Sequence, residues 1–291
     1  REDSNKSYSF FWLSKETSIL INNWFMMYFL SVVLIGTIYP IFLDVISSQK
    51  ISVGPPFYHK LIIPFLIPFL IMMAIGPKLK WIKSRLEDKK YLIVFLIISI
   101  LLAFLVTKNF NQDLLVNTIL ISSALYLFFI TLRDFFIKNY KNISQNIAHF
   151  GFSLLILSIL INNLFSSEII TNLKVGETFE NSKTKIIFES VDQKNEKNYN
   201  AIIANFFIIN SSGEKDRLSP ELRVYNQPII ATSEADIRTT LMTDKFIVIN
   251  LVQNQDYFNV RYQVKPFMLW IWISVLMISL GGITSFLQKR L

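Results

Sequence analysis

The chain contains no cysteine, and only two of its 291 residues are histidine. Without cysteine it cannot form a disulfide, bind a metal through a thiolate or carry a thioether-linked haem of its own. The sequence also has no phosphate-binding glycine loop, no HExxH pair of zinc ligands and no Ser/His/Asp set. These absences argue against nucleotide-binding, zinc-protease and serine-hydrolase chemistry.

Charged residues are scarce as well, at 17%, whereas 52% of the residues are hydrophobic. This balance is too apolar for an ordinary soluble domain and indicates an integral membrane protein. A membrane span requires roughly 17 to 25 predominantly apolar residues. We predict six spans, of which the second and third are the shortest: Ile19 to Ile46, Leu61 to Gly76, Tyr91 to Val106, Leu114 to Leu132, Asn146 to Phe165 and Pro266 to Leu287.

A polar segment, Ser166 to Lys265, separates the fifth and sixth spans. Its apolar runs, such as Ala201 to Ile209 and Phe246 to Val252, are rich in Ile, Val and Phe, which favours strands over helices. We therefore predict an α-helical membrane protein of about six transmembrane helices, with a mostly antiparallel β-domain inserted before the last helix. The predicted domains are a five-helix membrane domain over 1–165, a β-rich domain over 166–265, and the last helix with its tail over 266–291.

Basic residues are concentrated in the loops on one side of the predicted spans. Fourteen lysines and arginines lie before span one, after spans two and four, and after span six, against three in the opposite short loops. Because cytoplasmic loops are enriched in Lys and Arg, we expect both termini in the cytoplasm and the β-domain in the periplasm or an equivalent compartment. Contacts of these loops with anionic lipid headgroups account for the net charge of +8, so we expect no nucleic-acid partner.

His149 lies just inside the otherwise apolar fifth span. A polar ring in a membrane-spanning helix must be paired or coordinated, and neutral imidazole binds haem iron, copper and zinc. The small neighbours Ala148 and Gly151 would allow a helix or a flat macrocycle to approach the backbone. The alternative is a histidine near the membrane interface that hydrogen-bonds to a backbone carbonyl or to water.

The second histidine, His59, lies at the outer end of span two, whereas His149 lies near the inner end of span five. Much of a bilayer core of about 30 Å separates the two positions, so they cannot share one metal ion. We predict a rigid turn over Val53 to Tyr58 and expect His59, which follows it, to be an interfacial residue. If His149 is an axial ligand, its partner must come from outside this sequence. In span two, Pro64 and Pro68 free backbone carbonyls and favour a kink.

Other polar residues offer weaker candidates. Those near the spans lie close to span ends, where water or capping satisfies them: Glu16, Asn22, Asn23, Asp44, Asn162 and Asn163. No series of acids crosses the bilayer and the sequence has no internal repeat, which argues against an ion pump and a solute transporter. The polar segment has two charged clusters: Pro220, Glu221, Arg223 and Tyr225, and Ser233, Glu234, Asp236 and Arg238. Strand ends usually carry such charges without function, and docking of an outside partner is a better interpretation than catalysis.

Several short strings, taken together and in order, resemble one family. They are Ser14-Lys15-Glu16 with Leu20 and Asn22-Asn23, Gly36 to Pro40, Ile51 to Phe57, Ala148-His149-Phe150-Gly151, Leu218 to Glu221 with Arg223 and Tyr225, Thr232 to Arg238, Val264 to Phe267, Trp270-Ile271-Trp272 and Gly281-Gly282. The chain is similar over essentially its whole length to the C-terminal half of the CcmF family of cytochrome c-type biogenesis proteins. The order and spacing of so many segments make the resemblance more specific than any single motif.

The resemblance implies a function in haem attachment. Members of this family are haem lyase components that, with partners, join haem covalently to the Cys-x-x-Cys-His motif of apocytochrome c on the outer face of the membrane. Thioether formation requires ferrous iron, and the family is thought to hold a b-type haem in the membrane that reduces the arriving haem. By this resemblance the chain is a subunit or fragment of a cytochrome c haem lyase, a holocytochrome c synthetase, and we do not expect it to be active alone. The alternatives are a haem transporter or a noncatalytic assembly scaffold.

The family's membrane histidine, in its Ala-His-x-Gly context, corresponds to His149, which the resemblance makes one axial ligand of the iron of haem b. The other ligand belongs to the N-terminal half, and no role transfers to His59 or to the β-domain. The implied partners are that N-terminal half, a haem chaperone and other cytochrome c maturation proteins, apocytochrome c and membrane lipids. The implied location is the bacterial inner membrane, with the mitochondrial inner membrane as the alternative. Because the sequence begins without methionine or a signal peptide, we expect it to be part of a longer protein.

Overall fold

A computed structural model describes residues 14–47, 51–81, 90–108, 114–137, 143–211, 213–252 and 256–288. These residues contain six helices that are long and apolar enough to cross a membrane. The helices are α1 (Lys15–Ser47), α2 (Pro55–Ile75), α3 (Lys90–Thr107), α4 (Leu114–Phe136), α5 (Ile143–Phe165) and α6 (Met268–Gln288). The predicted fold class is confirmed, because each predicted span coincides with one of these helices and an antiparallel β-domain lies between α5 and α6.

The chain forms two compact units, one of residues 1–157 with 276–291 and one of residues 158–275.

Ten of the basic residues used to predict the orientation lie outside the described residues: Arg1, Lys6, Lys50, Lys83, Arg85, Lys89, Lys138, Lys141, Lys289 and Arg290. The cytoplasmic position of the termini and the periplasmic position of the β-domain therefore stay predictions.

Helix α2 begins six residues earlier than predicted, at Pro55 rather than Leu61. Proline is well suited to the first turn of a helix, because its fixed φ is helical and the N–H that it lacks would have no partner there. The segment before His59, which we expected to be a turn, therefore forms the first turn of α2. His59 follows it in the same helix and is exposed. The helix continues through both Pro64 and Pro68 to Ile75.

Helix α1 begins at a side-chain cap. The hydroxyl of Ser14 accepts a hydrogen bond from the backbone N–H of Thr17, at 3.2 Å, which satisfies one of the free amides of the first turn. With 33 residues, α1 is about 50 Å long, well beyond the bilayer core of about 30 Å. Beside its first turn, the backbone N–H of Lys15 donates to the carbonyl of Lys80, at 3.0 Å, which ties α1 to the segment after α2.

Small residues mark the close approaches between α1 and α2. A Cβ added to Gly36 would lie 2.7 Å from the hydroxyl oxygen of Tyr58. At the other end of the pair, a Cβ on Gly76 would overlap the hydroxyl of Ser18. Between these points the hydroxyl of Tyr28 donates to the carbonyl of Leu61, at 2.9 Å. Three contacts spread along both helices therefore fix their packing.

The β-domain consists of ten strands in two sheets. They are β1 (Ser167–Leu173), β2 (Thr178–Glu180), β3 (Thr184–Asn195), β4 (Tyr199–Asn210), β5 (Lys215–Leu218), β6 (Glu221–Asn226), β7 (Ile229–Glu234), β8 (Asp236–Thr239), β9 (Thr243–Leu251) and β10 (Phe258–Pro266). The first sheet has the order β1-β10-β9-β8, and the second has the order β2-β3-β4-β6-β7 with β5 paired to β4. All pairs are antiparallel, as predicted.

The core of this domain lies between the two sheets. Alternate residues of the longer strands, such as Ile186 and Phe188 on β3 and Ile247 and Ile249 on β9, are fully buried, as expected when one face of each sheet packs inward. The first and last strands are neighbours, with Ser167 of β1 opposite Val264 of β10. The N- and C-terminal ends of the sandwich are therefore close together, which allows the domain to be inserted between α5 and α6.

Candidate functional site

His149 lies on α5 and lines a cleft of about 420 Å³ between α1, α2 and α5. The apolar residues that line it are Ile19, Met26, Phe69, Met72, Met73, Gly76, Pro77 and Phe152. The polar residues that line it are Lys15, Ser18, Asn22, Gln145 and His149. The cleft combines an imidazole, flat apolar surfaces and one cationic side chain, and none of its lining residues is acidic.

Two neighbouring helices hold the backbone of α5 around His149. On one side, the hydroxyls of Thr131 on α4 and Ser153 lie 2.8 Å apart. On the other, Gly281 of α6 approaches so closely that an added Cβ would lie 2.7 Å from the Cβ of Ala148. The small residue at 148, predicted to permit close packing, therefore accommodates a helix. These contacts hold α5 at Ala148 and at Ser153, which precede and follow His149 in the sequence.

The imidazole of His149 has no hydrogen-bond partner among the residues that the structure describes. The same ring also borders a small cavity of about 10 Å³, which Thr131 and Asp134 line from α4. Asp134 forms an ion pair with Lys78, and its backbone carbonyl accepts from the amide of Asn146, at 3.1 Å. The alternative that His149 bonds to a backbone carbonyl thus has no support within the described chain.

Lys15 supplies the positive charge of the cleft. Its ammonium group lies 5.2 Å from the centroid of the Trp81 ring, within the range of a cation–π contact. Lys15 is partly buried, and its backbone is tied to Lys80. A partly desolvated cation beside apolar side chains favours a ligand that is largely apolar and carries an anionic group.

His59 is far from this site. It lies in the first turns of α2, whereas Met73 of the same helix lines the cleft beside His149. Fourteen residues of α-helix correspond to about 21 Å, so the prediction that the two histidines do not share a metal agrees with the geometry. Nor do the described residues contain any group of three His, Asp or Glu residues that could hold a metal ion.

The two charged clusters predicted in the β-domain lie side by side, because Glu221 of β6 is paired with Glu234 of β7. Arg223 donates to Glu221, at 2.7 Å, and hydrogen bonds to Glu221 and Tyr225 raise the pKa of the Arg223 guanidinium. The backbone N–H of Ser219 donates to Asp236, at 2.6 Å, which links the end of β5 to β8. These contacts give the clusters a structural role, and docking of a partner there stays a prediction.

The β-domain also buries an ionic cluster that the sequence analysis missed. Asp216, which has no exposed surface, pairs with Lys245 at 2.7 Å and with Arg238. Burial alone would lower the pKa of Lys245, but its hydrogen bonds to Asp216 and Glu214 raise it. The period of two along a strand could have indicated this cluster. Asp216 is two residues from the buried Leu218, and Lys245 is two residues from the buried Ile247, so both charged side chains lie on the inward face of their strands.

The neighbouring Tyr262 is buried, and its hydroxyl has no hydrogen-bond partner among the described residues. Burial raises the pKa of this phenol to about 12. Asp216, Lys245 and Arg238 come from β5, β9 and β8, which belong to different sheets. The cluster therefore joins the two sheets of the sandwich.

Comparison with known proteins agrees with this architecture. Residues 164–266 match the family model of the CcmF C-terminal beta-sandwich. The chain is 27% identical over 297 residues to a cytochrome c-type biogenesis protein CcmF of Pseudomonas fluorescens, and the match covers 95% of this chain and 44% of that protein. It is 26% identical over 293 residues to the CcmF of Haemophilus influenzae, with 95% and 45% covered.

A solved structure, cytochrome c heme lyase CcmF, superposes with a TM-score of 0.72 at 21% identity, and the match covers 94% of this chain and 46% of that chain. This match shows a common fold of membrane helices and sandwich. The chain spans less than half the length of the relatives that it matches. Over nearly its whole length it is therefore similar to the C-terminal half of CcmF proteins, and its residues 164–266 match their C-terminal beta-sandwich.

Proposed function

We propose that the chain is the C-terminal part of a cytochrome c haem lyase component, in which His149 is one axial ligand of a membrane b-type haem. The observation that carries this proposal is the His149 imidazole, which faces an apolar cleft and has no hydrogen-bond partner among the described residues. The names of the relatives, cytochrome c-type biogenesis proteins, support a role in cytochrome c biogenesis.

The residues of the cleft fit a b-type haem. His149 would supply a nitrogen ligand to the iron, and Phe69 and Phe152 would contact the apolar faces of the macrocycle. Lys15 would pair with a propionate, and Ser18 and Asn22 would donate hydrogen bonds beside it. When bound, such a haem supplies one-electron chemistry at its iron. The protein's own residues would position the group and keep water away from its apolar surface.

The second axial ligand would come from the N-terminal half of the protein. Within the described residues of this chain, His59 is the only other histidine, and it lies about 21 Å along α2 from Met73, which lines the cleft with His149. The partners that we propose are therefore the N-terminal half, a haem chaperone and other maturation proteins, and apocytochrome c. We also propose that the complex lies in the bacterial inner membrane with the β-domain in the periplasm, and that this chain alone has no lyase activity.

The proposal is tested by the visible spectrum of the complex with the N-terminal half. We expect His149→Ala to abolish a reducible low-spin b-type spectrum, and added imidazole to restore it by entering the space left by the side chain. His59→Ala is the matched control, because it removes the other histidine from an exposed position. Full haem content with an unchanged low-spin spectrum in His149→Ala would refute the ligand assignment.

A second measurement separates a lyase component from a transporter or scaffold. Covalent attachment of haem to apocytochrome c is measured for His149→Ala with and without dithionite. If the membrane haem delivers electrons, chemical reduction should restore attachment although the b-type spectrum is missing. Attachment that proceeds equally without dithionite would show that the His149 site is not needed for reduction.

A further inference from the structure

The hairpin between β8 and β9 ends in two exposed apolar residues. The backbone N–H of Thr240 donates to the carbonyl of Thr243, at 2.9 Å, and closes a two-residue loop. The loop residues are Leu241 and Met242, which are 68% and 57% exposed. Loops of this length favour Gly, Asn and Asp when they project into water. The composition of this tip therefore points to an apolar environment.

The tip is bonded to the start of a membrane helix. The indole N–H of Trp270, in the first turn of α6, donates to the carbonyl of Leu241, at 2.8 Å. The backbone N–H of Phe267 donates to the carbonyl of Met242, also at 2.8 Å. Because α6 is long and apolar enough to span a membrane, we expect its first turn at the membrane boundary, where tryptophan is enriched. The two bonds place the hairpin tip at the same depth.

The joint between β10 and α6 holds the tip in place. Phe267 has a φ of 61°, a left-handed conformation that is unfavourable for a bulky residue. Its bond to Met242 helps to hold that conformation. The side chain of Asn162 on α5 donates to the carbonyl of Pro266, at 2.6 Å, and so binds the same joint to a second membrane helix. The hairpin is thus fixed to the end of α5 as well as to the start of α6.

The hydrogen bonds at the tip also suit an environment without water. The carbonyls of Leu241 and Met242 are both used, and the backbone N–H of Thr243 donates to the hydroxyl of Thr240, at 3.0 Å. Backbone groups without partners are costly in lipid, and these groups have partners. Neither tip side chain is charged, so insertion would bury no charge.

We propose that Leu241 and Met242 insert into the lipid interface beside α6 and anchor the β-domain to the membrane surface. The occupant of this apolar tip is lipid, because the tip is continuous with the lipid-facing start of a spanning helix. Trp272, at the start of the second turn of α6, is also an exposed aromatic residue. This inference depends on α6 crossing the membrane and is independent of the haem site.

The test uses single cysteines, which the natural chain lacks. Leu241→Cys and, separately, Met242→Cys are labelled with an environment-sensitive nitrobenzoxadiazole dye in the complex with the N-terminal half. The complex is placed in phosphatidylcholine–phosphatidylglycerol vesicles that contain a nitroxide on a shallow acyl position. The parent complex, treated with the same dye, gives the background. The expected result is a blue-shifted emission that the lipid nitroxide quenches and that aqueous iodide does not.

Ile229→Cys is the matched control, since Ile229 is apolar, 84% exposed and the first residue of β7. Ser233 of β7 donates to Asn250, which lies seven residues along β9 from Thr243, or about 23 Å. The chain then approaches the tip from Ser233, since Asp236 is opposite Ile247 and Thr239 is opposite Asp244, and Ile229 precedes Ser233 at the far end of this path. Iodide, and not the lipid nitroxide, should quench the dye at this position. The proposal is overturned if the dyes at 241 and 242 behave like the control. It is equally overturned if they are shielded from both quenchers, which would show that a protein covers the tip.

Discussion

Two adjacent glycines of α6 provide a sharp test of how the helices pack around His149. A Cβ on Gly281 would lie 2.7 Å from the Cβ of Ala148, 2.8 Å from its backbone nitrogen and 2.9 Å from the carbonyl oxygen of Ser144. A Cβ on Gly282 would have no heavy atom within 4 Å. The substitutions Gly281→Ala and Gly282→Ala are therefore chemically identical and differ only in what the new methyl group meets.

The expected difference follows from two free-energy terms. Replacement of a helical glycine by alanine favours the helix by about 1 kcal/mol, and both variants gain this term. Only Gly281→Ala also forces α5 and α6 apart, and overpacking of a tight interface costs about 1 to 3 kcal/mol. Gly282→Ala should thus be neutral or slightly stabilised, whereas Gly281→Ala should be less stable than Gly282→Ala by about 1 to 3 kcal/mol.

Thermal unfolding of the purified complex, followed by tryptophan fluorescence, measures this difference. Since Ala148 precedes His149, Gly281→Ala should also shift the haem spectrum if the proposed haem site is correct, and Gly282→Ala should leave it unchanged. Equal melting temperatures for the two variants would refute the packing between α5 and α6. A melting difference without any spectral shift would leave the packing intact and count against the haem site.

Two further predictions concern the β-domain. Asp216→Ala should destabilise it by about 3 to 5 kcal/mol, because Lys245 loses a fully buried partner. Glu180→Ala, which breaks the exposed ion pair with Lys185, should destabilise it by less than about 1 kcal/mol. Thermal unfolding of both variants measures this difference. The pKa of Lys245 is raised, and that of Tyr262 is raised to about 12. Both shifts stabilise the fold below about pH 10, and this stabilisation should be lost as the pH rises through the raised pKa values. Alkaline unfolding should therefore begin above pH 10, and in a spectrophotometric titration at 295 nm Tyr262→Phe should remove a late-titrating tyrosine; an unchanged titration would refute the assignment.

The membrane helices could be predicted from the sequence because long apolar runs leave a chain few alternatives in a bilayer. Their ends were less predictable. Pro55 and Pro56 were interpreted as a turn, although proline also suits the first turn of a helix, and α2 begins there. Pro266 was assigned to the last span and instead ends β10. In each case a proline, which disrupts the interior of a helix, lies at the boundary of an element. Its conformational preference does not indicate whether it belongs to the helix or to the neighbouring segment.

His149 could be singled out from its type and its apolar surroundings, but the composition of its cleft could not. Lys15 and Gln145 come from different helices and meet at the cleft only through the packing of α1, α2 and α5. The buried pair of Asp216 and Lys245 was missed for a related reason, since the partners lie on different sheets. Alternation along each strand indicates that both side chains point inward, but only the assembled sandwich brings them together.

The pairing of β1 with β10 has a consequence for the order in which the chain matures. Strand β1 leaves the end of α5, yet its hydrogen-bonded neighbour is the last strand of the domain, which leads directly into α6. A chain still being synthesised can form the central hairpins early, but the edge of its first sheet stays open until β10 has been made. We therefore expect completion of the sandwich and membrane insertion of α6 to follow one another directly during biosynthesis.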